Sequence, residues 1–139
     1  MTLTLVFRLA GQDYGLEIDA VQEIIESPTI YPIPAAETVV KGVLNVHGEV
    51  LPVVDLPALL NFPADRHDER MIVLAQEYRS LALQVCEIEG ILPLDLEYCA
   101  QAPDNAPELC IRAVVERQTG EPVHLLETAG VFERLERIF

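Results

Sequence analysis

The chain has 139 residues, the span of one ordinary domain and enough to bury a core without a metal or disulfide staple. Twenty-three acidic residues against 9 basic ones leave a net charge of −14, which sets the chain against nucleic acid and anionic lipid. Half the residues are hydrophobic and mean hydropathy is +0.25, which excludes disorder, while no run approaches the roughly 18 apolar residues of a membrane span.

Along the chain the dominant period is two. Leu3, Leu5, Phe7 and Leu9 alternate with Thr4, Val6, Arg8 and Ala10, which predicts a strand with one strongly buried face. Met1 to Leu9 lacks the basic start and long apolar run of a secretory leader. Gly11-Gln12-Asp13 reads as a turn and Tyr14 to Ile18 as the returning strand of a hairpin. Asp19 to Val21 reads as a single turn, and Val21 to Glu26 as extended chain. Ser27-Pro28 and Pro32-Ile33-Pro34 then predict an irregular surface loop.

Val39 to Val46 and Val50 to Val54 predict a second hairpin around Gly48-Glu49, with Pro52 marking an edge or a bulge. Asp55 is placed to cap a short helix from Pro57 to Leu60. Pro63 to Glu69 reads as a charged surface loop. Met71 to Ala75 and Leu81 to Val85 form a third hairpin around Glu77 to Arg79, and Ile88 to Leu94 a strand broken by Gly90 and Pro93. Ala100 to Glu108 reads as loop, and Cys110 to Arg117 pairs with Pro122 to Leu126 around Thr119-Gly120. Thr128 is the expected cap of a terminal amphipathic helix carrying Phe132, Leu135, Ile138 and Phe139. Nine or ten short strands with one or two short helices predict an all-β barrel or sandwich assembly in a single domain over residues 1–139. No internal sequence repeat is evident.

Enzyme signatures are absent: no GxSxG, P-loop, GxGxxG or HExxH occurs. His47, His67 and His124 lie far apart in sequence. Cys86, Cys99 and Cys110 are odd in number and fit neither a disulfide framework nor a metal motif, which points to a reducing, cytoplasmic setting.

The most informative segment is Lys41-Gly42-Val43-Leu44-Asn45-Val46-His47-Gly48-Glu49-Val50-Leu51-Pro52-Val53-Val54-Asp55-Leu56. On physical grounds alone it is a well-made hairpin. It also resembles the central motif of the CheW family of chemotaxis coupling proteins, GVxNxRGxxxPVxDL. Val6 to Leu9, Tyr14 to Ile18, Val21-Gln22-Glu23-Ile24, Ile33-Pro34, Met71 to Leu74, Leu81 to Val85, Ile91 to Leu94 and Val123 to Leu126 resemble further family elements in the same order. The resemblance implies two intertwined five-stranded SH3-like barrels sharing a core, with short helices including a C-terminal one. It implies a non-enzymatic adaptor that uses no cofactor or metal, inserts in no membrane and binds no nucleic acid. Its partners would be the cytoplasmic tip of chemoreceptors, through Val21, Val46, His47 and Ile91, and the regulatory domain of a CheA-type histidine kinase, through Glu23 and Ile24.

Two positions depart from the pattern. His47 stands where the family carries arginine, and a shorter group that titrates near neutrality replaces a fixed five-donor fork. The alternative is that His47 is only an exposed hairpin residue. Cys86 stands where aspartate is common; it reads as a small packing residue, with a redox role opposed by the acids Glu87 and Glu89. Lys41, the single lysine, reads equally as an anchor for an acidic partner and as a solvated strand end. Two other readings stay open. One is a divergent CheW-like adaptor in a pilus or surface-sensing array. The other, from a different class, is a small metal-dependent hydrolase using the histidines.

Overall fold

The first strand, β1 (Thr2–Leu9), is buried on both faces over Thr4–Phe7, not on one. Leu5, Phe7 and Leu9 enter one apolar cluster while Val6 enters another. That two-sided burial is why Val6 interrupts the alternation, and it dictates the architecture. The computed structural model describes all residues except 35–38, 77–78, 101, 119 and 139.

Among the described residues the remaining strands are β2 (Gln12–Glu17), β3 (Val21–Ile25), β4 (Val40–Val46), β5 (Glu49–Asp55), β6 (Met71–Gln76), β7 (Arg79–Gln84), β8 (Glu87–Leu94), β9 (Cys99–Ala100), β10 (Ile111–Val115) and β11 (Val123–Leu126). Two helices, α1 (Leu56–Leu59) and α2 (Thr128–Glu136), and short 3₁₀ turns at Ile18–Ala20 and Leu96–Tyr98 complete the chain. The strands form one six-stranded sheet, β8-β1-β2-β11-β10-β9, and one five-stranded sheet, β3-β6-β7-β5-β4. The two-residue β9 takes the first sheet beyond five strands. Each sheet curls around its own small core. Val6, Leu94, Val115, Val123 and Leu125 fill the six-stranded one; Leu44, Val46, Leu51, Val53, Met71, Val73 and Ala82 fill the five-stranded one. Between them lies the large shared core, to which the two sheets contribute Leu5, Phe7, Leu9, Tyr14 and Leu16 on one side and Ile72, Leu74, Leu81 and Leu83 on the other.

The two sheets repeat one topology that no sequence repeat announces. In each, an antiparallel hairpin (β1–β2, β4–β5) meets a second hairpin (β10–β11, β6–β7) through a parallel pair, β2 with β11 and β5 with β7. Both leading hairpins close on two-residue turns with positive φ at each residue: Ala10 and Gly11, then His47 and Gly48. Each turn thus sits one or two residues before the position expected from glycine alone.

Pro52 lies neither at an edge nor in a bulge, since β5 runs between β4 and β7. Tyr31 exchanges both backbone hydrogen bonds with Val43, each 2.9 Å, so the amide and carbonyl of Val43 point away from β5. Its cross-strand partner Pro52 therefore turns its nitrogen away from β4, toward β7, where the parallel ladder starts only at Val53. A missing donor costs nothing there. β8 is continuous through Gly90 and Pro93. Glu89 is the extra residue of a bulge opposite Val6 and Phe7, and Pro93 is tolerated because β8 is an edge strand. Asp55 caps α1 as expected, accepting from the Ala58 amide at 3.3 Å. Thr128 is not a cap but the first residue of α2. Glu127 occupies the cap position without a side-chain bond, fixed instead by its amide donating to the Cys110 carbonyl at 2.7 Å. Val131, Phe132 and Leu135 of α2 seal the shared core. Phe139 and the expected turn residues Glu77 and Thr119 lie outside the described residues.

The segment read as a charged surface loop holds one half-buried acid. Asp68 takes a bidentate pair from Arg70 (3.0 and 2.9 Å) and a bond from the Ile88 amide (2.8 Å), pinning the loop to β8. The Arg70 guanidinium holds its carboxyl down at about 2, against an ordinary 3.8.

Two consequences are measurable. An added Cβ at Gly42 would lie 2.4 Å from the Tyr31 carbonyl oxygen, at φ +153. Gly42→Ala should therefore cost about 2 kcal/mol or more, read as a lowered denaturant midpoint. Asp68 stabilises the fold because its folded pKa is depressed, so its contribution is complete above about pH 5 and disappears as pH falls through 3.8 toward 2. Asp68→Asn should remove about 1–2 kcal/mol at pH 7 and flatten the acid limb of a stability–pH curve.

Candidate protein-interaction surface

β3 carries three of the six candidate contact residues. A bulge at Gln22 sets its register against β6 so that Val21 faces Leu74, Glu23 faces Val73 and Ile24 faces Ile72. Leu74 and Ile72 belong to the shared core and Val73 to the five-stranded barrel. Val21 and Ile24 are accordingly half-buried and packed on the shared core. Glu23 turns the other way, to the end of the barrel.

The turn between β4 and β5 reaches that same end. Asn45 accepts the Gly48 amide through Oδ1 at 3.0 Å, bracketing the turn. His47 adopts φ 51, which lifts its side chain off the sheet to 78% exposure. Its Nε2 lies 3.0 Å from Oε1 and 3.3 Å from Oε2 of Glu23. This pair joins a residue assigned by resemblance to the receptor face with one assigned to the kinase face. Arginine at position 47 would offer Glu23 a longer, five-donor fork, where histidine offers a short ring.

Val46 is buried in the barrel core, so it supports this end from within rather than presenting a side chain. Ile91 lies on the other sheet. It sits opposite Leu5 on the edge strand β8 and is 50% exposed, so it faces the rim of the shared core. The six residues thus form two groups: Glu23, His47 and Val46 at the barrel end, and Val21, Ile24 and Ile91 directed to the shared core.

The segment between the prolines, read as irregular loop, contains Tyr31 in a backbone bridge to β4. This pairing closes the five-stranded sheet. A β-prone Ile30-Tyr31 between Pro28 and Pro32 was the available signal. Lys41 is an internal partner: its Nζ lies 3.5 Å from Oδ2 of Asp55.

The histidines occupy three separate sites. His67 Nε2 is 3.2 Å from Asp55 Oδ1, and His124 Nδ1 is 3.0 Å from the Asp13 carbonyl oxygen. Among the described residues no three His, Cys, Asp or Glu side chains converge as metal ligands. The three cysteines are free thiols. Burial pushes the Cys110 thiol up, away from nucleophilic use. Cys86 is half-buried and shares a small cavity of about 180 Å³ with Arg8 and Arg66 as well as Glu87, so its surroundings are of mixed charge rather than acidic. No helix among the described residues is long and apolar enough to cross a membrane.

A profile of the CheW-like domain matches residues 3–136. The chain belongs to the CheW-like domain family. It is 30% identical over 138 residues to the chemotaxis protein CheW of Rhizobium meliloti, covering 96% of this chain and 88% of that one. It is also 31% identical over 93 residues to protein PilI of Pseudomonas aeruginosa, covering 64% of this chain and 52% of that one. Its fold is similar to that of the scaffolding protein TtCheW from Thermoanaerobacter tengcongensis, at a TM-score of 0.82 and 22% identity over 95% of this chain and 92% of that one.

Proposed function

We propose that this CheW-like protein is a chemotaxis scaffold, a cytoplasmic and non-enzymatic adaptor that couples receptor tips to the regulatory domain of a CheA-type histidine kinase. One observation carries the reading: Glu23 and His47, drawn from the two contact sets that the family resemblance implies, meet in an exposed pair at one end of the five-stranded barrel. Val21 and Ile24 flank Glu23 on the same strand, with Ile91 at the rim of the same core. A surface of that kind, with apolar anchors beside a polar rim, suits a reversible protein contact. The acidic surface favours partners with basic patches.

One finding favours a second reading, an adaptor in a pilus-associated array: the similarity to PilI. The two readings share the surface and differ in the receptor.

Calorimetric titration of the full chain should give micromolar binding to the cognate kinase regulatory domain and to the receptor tip, weakening as salt rises. His47→Ala and Glu23→Ala should each lower receptor or kinase affinity severalfold while moving unfolding stability by less than about 0.5 kcal/mol, since the pair is exposed. Absence of binding to both partners would remove the adaptor reading. Pull-down from native lysate separates the two arrays by the receptor captured: a chemotaxis receptor supports the first, a pilus-associated one the second.

A further inference from the structure

The outer face of the β4–β5 hairpin carries an apolar row that the rest of the chain leaves uncovered. Leu44 and Leu51 point into the five-stranded barrel, so Val43 and Pro52, which oppose each other across the hairpin, point outward. Tyr31 bridges to Val43 and shares its face. Val50, two residues before Pro52, shares it too. Tyr31 is 58% and Val50 63% exposed, and Val43 and Pro52 are only half-buried. Farther along the same face, Val40 and Val54 are buried in the shared core. The row is therefore the continuation of the shared-core layer past the point where α2 stops covering it. Beyond Pro52 it opens into a groove of about 440 Å³ lined by Val50, Leu81, Phe132 and Leu135.

We propose that this row and groove form a docking surface for a basic amphipathic helix of a partner protein, separate from the surface around Glu23, His47 and Ile91. A strand cannot extend the sheet here, because Tyr31 already takes the free edge of β4 at Val43. The occupant must lie across the strands and bind through side chains. The row from Tyr31 to Pro52 crosses two strand spacings, about 10 Å, and the groove against α2 adds about as much. A helix of about 13 residues is about 20 Å long, and apolar side chains at i, i+4, i+7 and i+11 run along that length. The rim selects its charge. Glu49 and Glu136 border the groove, and its one cation, Arg79, is engaged by Glu136 and by the face of Phe132, 5.0 Å from the ring centroid. With Glu136 paired to Arg79, a lysine- or arginine-flanked helix meets the Glu49 carboxylate there, while an acidic one is repelled.

The test uses the full chain and a designed 13-residue helical peptide with leucine at those spacings and lysine flanks, beside a control with glutamate flanks. Two-dimensional amide NMR should show shifts confined to Tyr31, Val43, Val50 and the Phe132–Glu136 turn. The glutamate peptide and the Val50→Asp chain should each bind at least about tenfold more weakly. Val50 is exposed, so this variant keeps its fold; Tyr31→Ser reads the other end of the row independently. Shifts centred on Val21, His47 and Ile91, equal binding of both peptides, or unchanged affinity in both variants would overturn the proposal.

Discussion

Every feature of this molecule depends on strands that serve two cores at once. In β1, β6 and β7, successive side chains enter a barrel interior and the shared layer alternately, so the strand has no solvent face over its central residues. The constraint is severe. A one-residue slip in register would exchange the contents of two cores of different shape. Fully burying one side chain of this size is worth about 1.5–3 kcal/mol, and here the alternate positions contribute as well. With Thr4, Asp13 and Asp55 the only buried polar residues among those described, the layer is almost purely apolar.

The surface follows from where the shared layer runs out. At its rims it leaves Val21 and Ile24 of β3 half-covered and Ile91 of β8 half-exposed, and it leaves Val43, Pro52 and Val50 beyond α2. Closure at the barrel end comes from backbone chemistry instead. Tyr31 satisfies the edge of β4, Gly42 permits its close approach, and Asn45 brackets a turn that His47 and Gly48 complete at positive φ. The proposed contact residues are thus consequences of how two barrels finish. No separate element carries them.

Much of this was legible in the sequence and some was not, for identifiable reasons. Alternation located the strands because one face of each meets a core. It could not separate burial on one face from burial on two, and Val6 was the clue that looked like noise. Glycine marked both hairpin turns, but a two-residue turn of this type needs positive φ at its first residue as well, which Ala10 and His47 supply without advertising it. Proline at 52 and 93 looked disruptive because its effect depends on which side of the strand is unpaired, a property of the sheet and not of the chain. The motif around residues 41–56 gave the family, but the pairing of His47 with Glu23 spans 24 residues and required the folded hairpin.

The repeated topology explains the two buried aspartates. Each sheet joins its hairpins by a short parallel pair, the weaker ladder geometry, and an aspartate sits within each: Asp13 opposite Val123, Asp55 opposite Gln84. Each aspartate gathers basic groups from both sides of its junction. Asp13 receives Arg8 of β1 at 2.9 Å and Arg117, between β10 and β11, at 2.5 Å. Asp55 faces Lys41 of β4 at 3.5 Å and His67, just ahead of β6, at 3.2 Å. A buried ion pair adds little net stability over an apolar substitute, because desolvation offsets most of the attraction. Its effect is selective. Mispairing the hairpins would strand a buried carboxylate, a penalty that apolar residues, tolerant of any apolar neighbour, do not impose. Three of the chain's nine lysines and arginines are committed to these two junctions, which leaves the remaining surface strongly acidic.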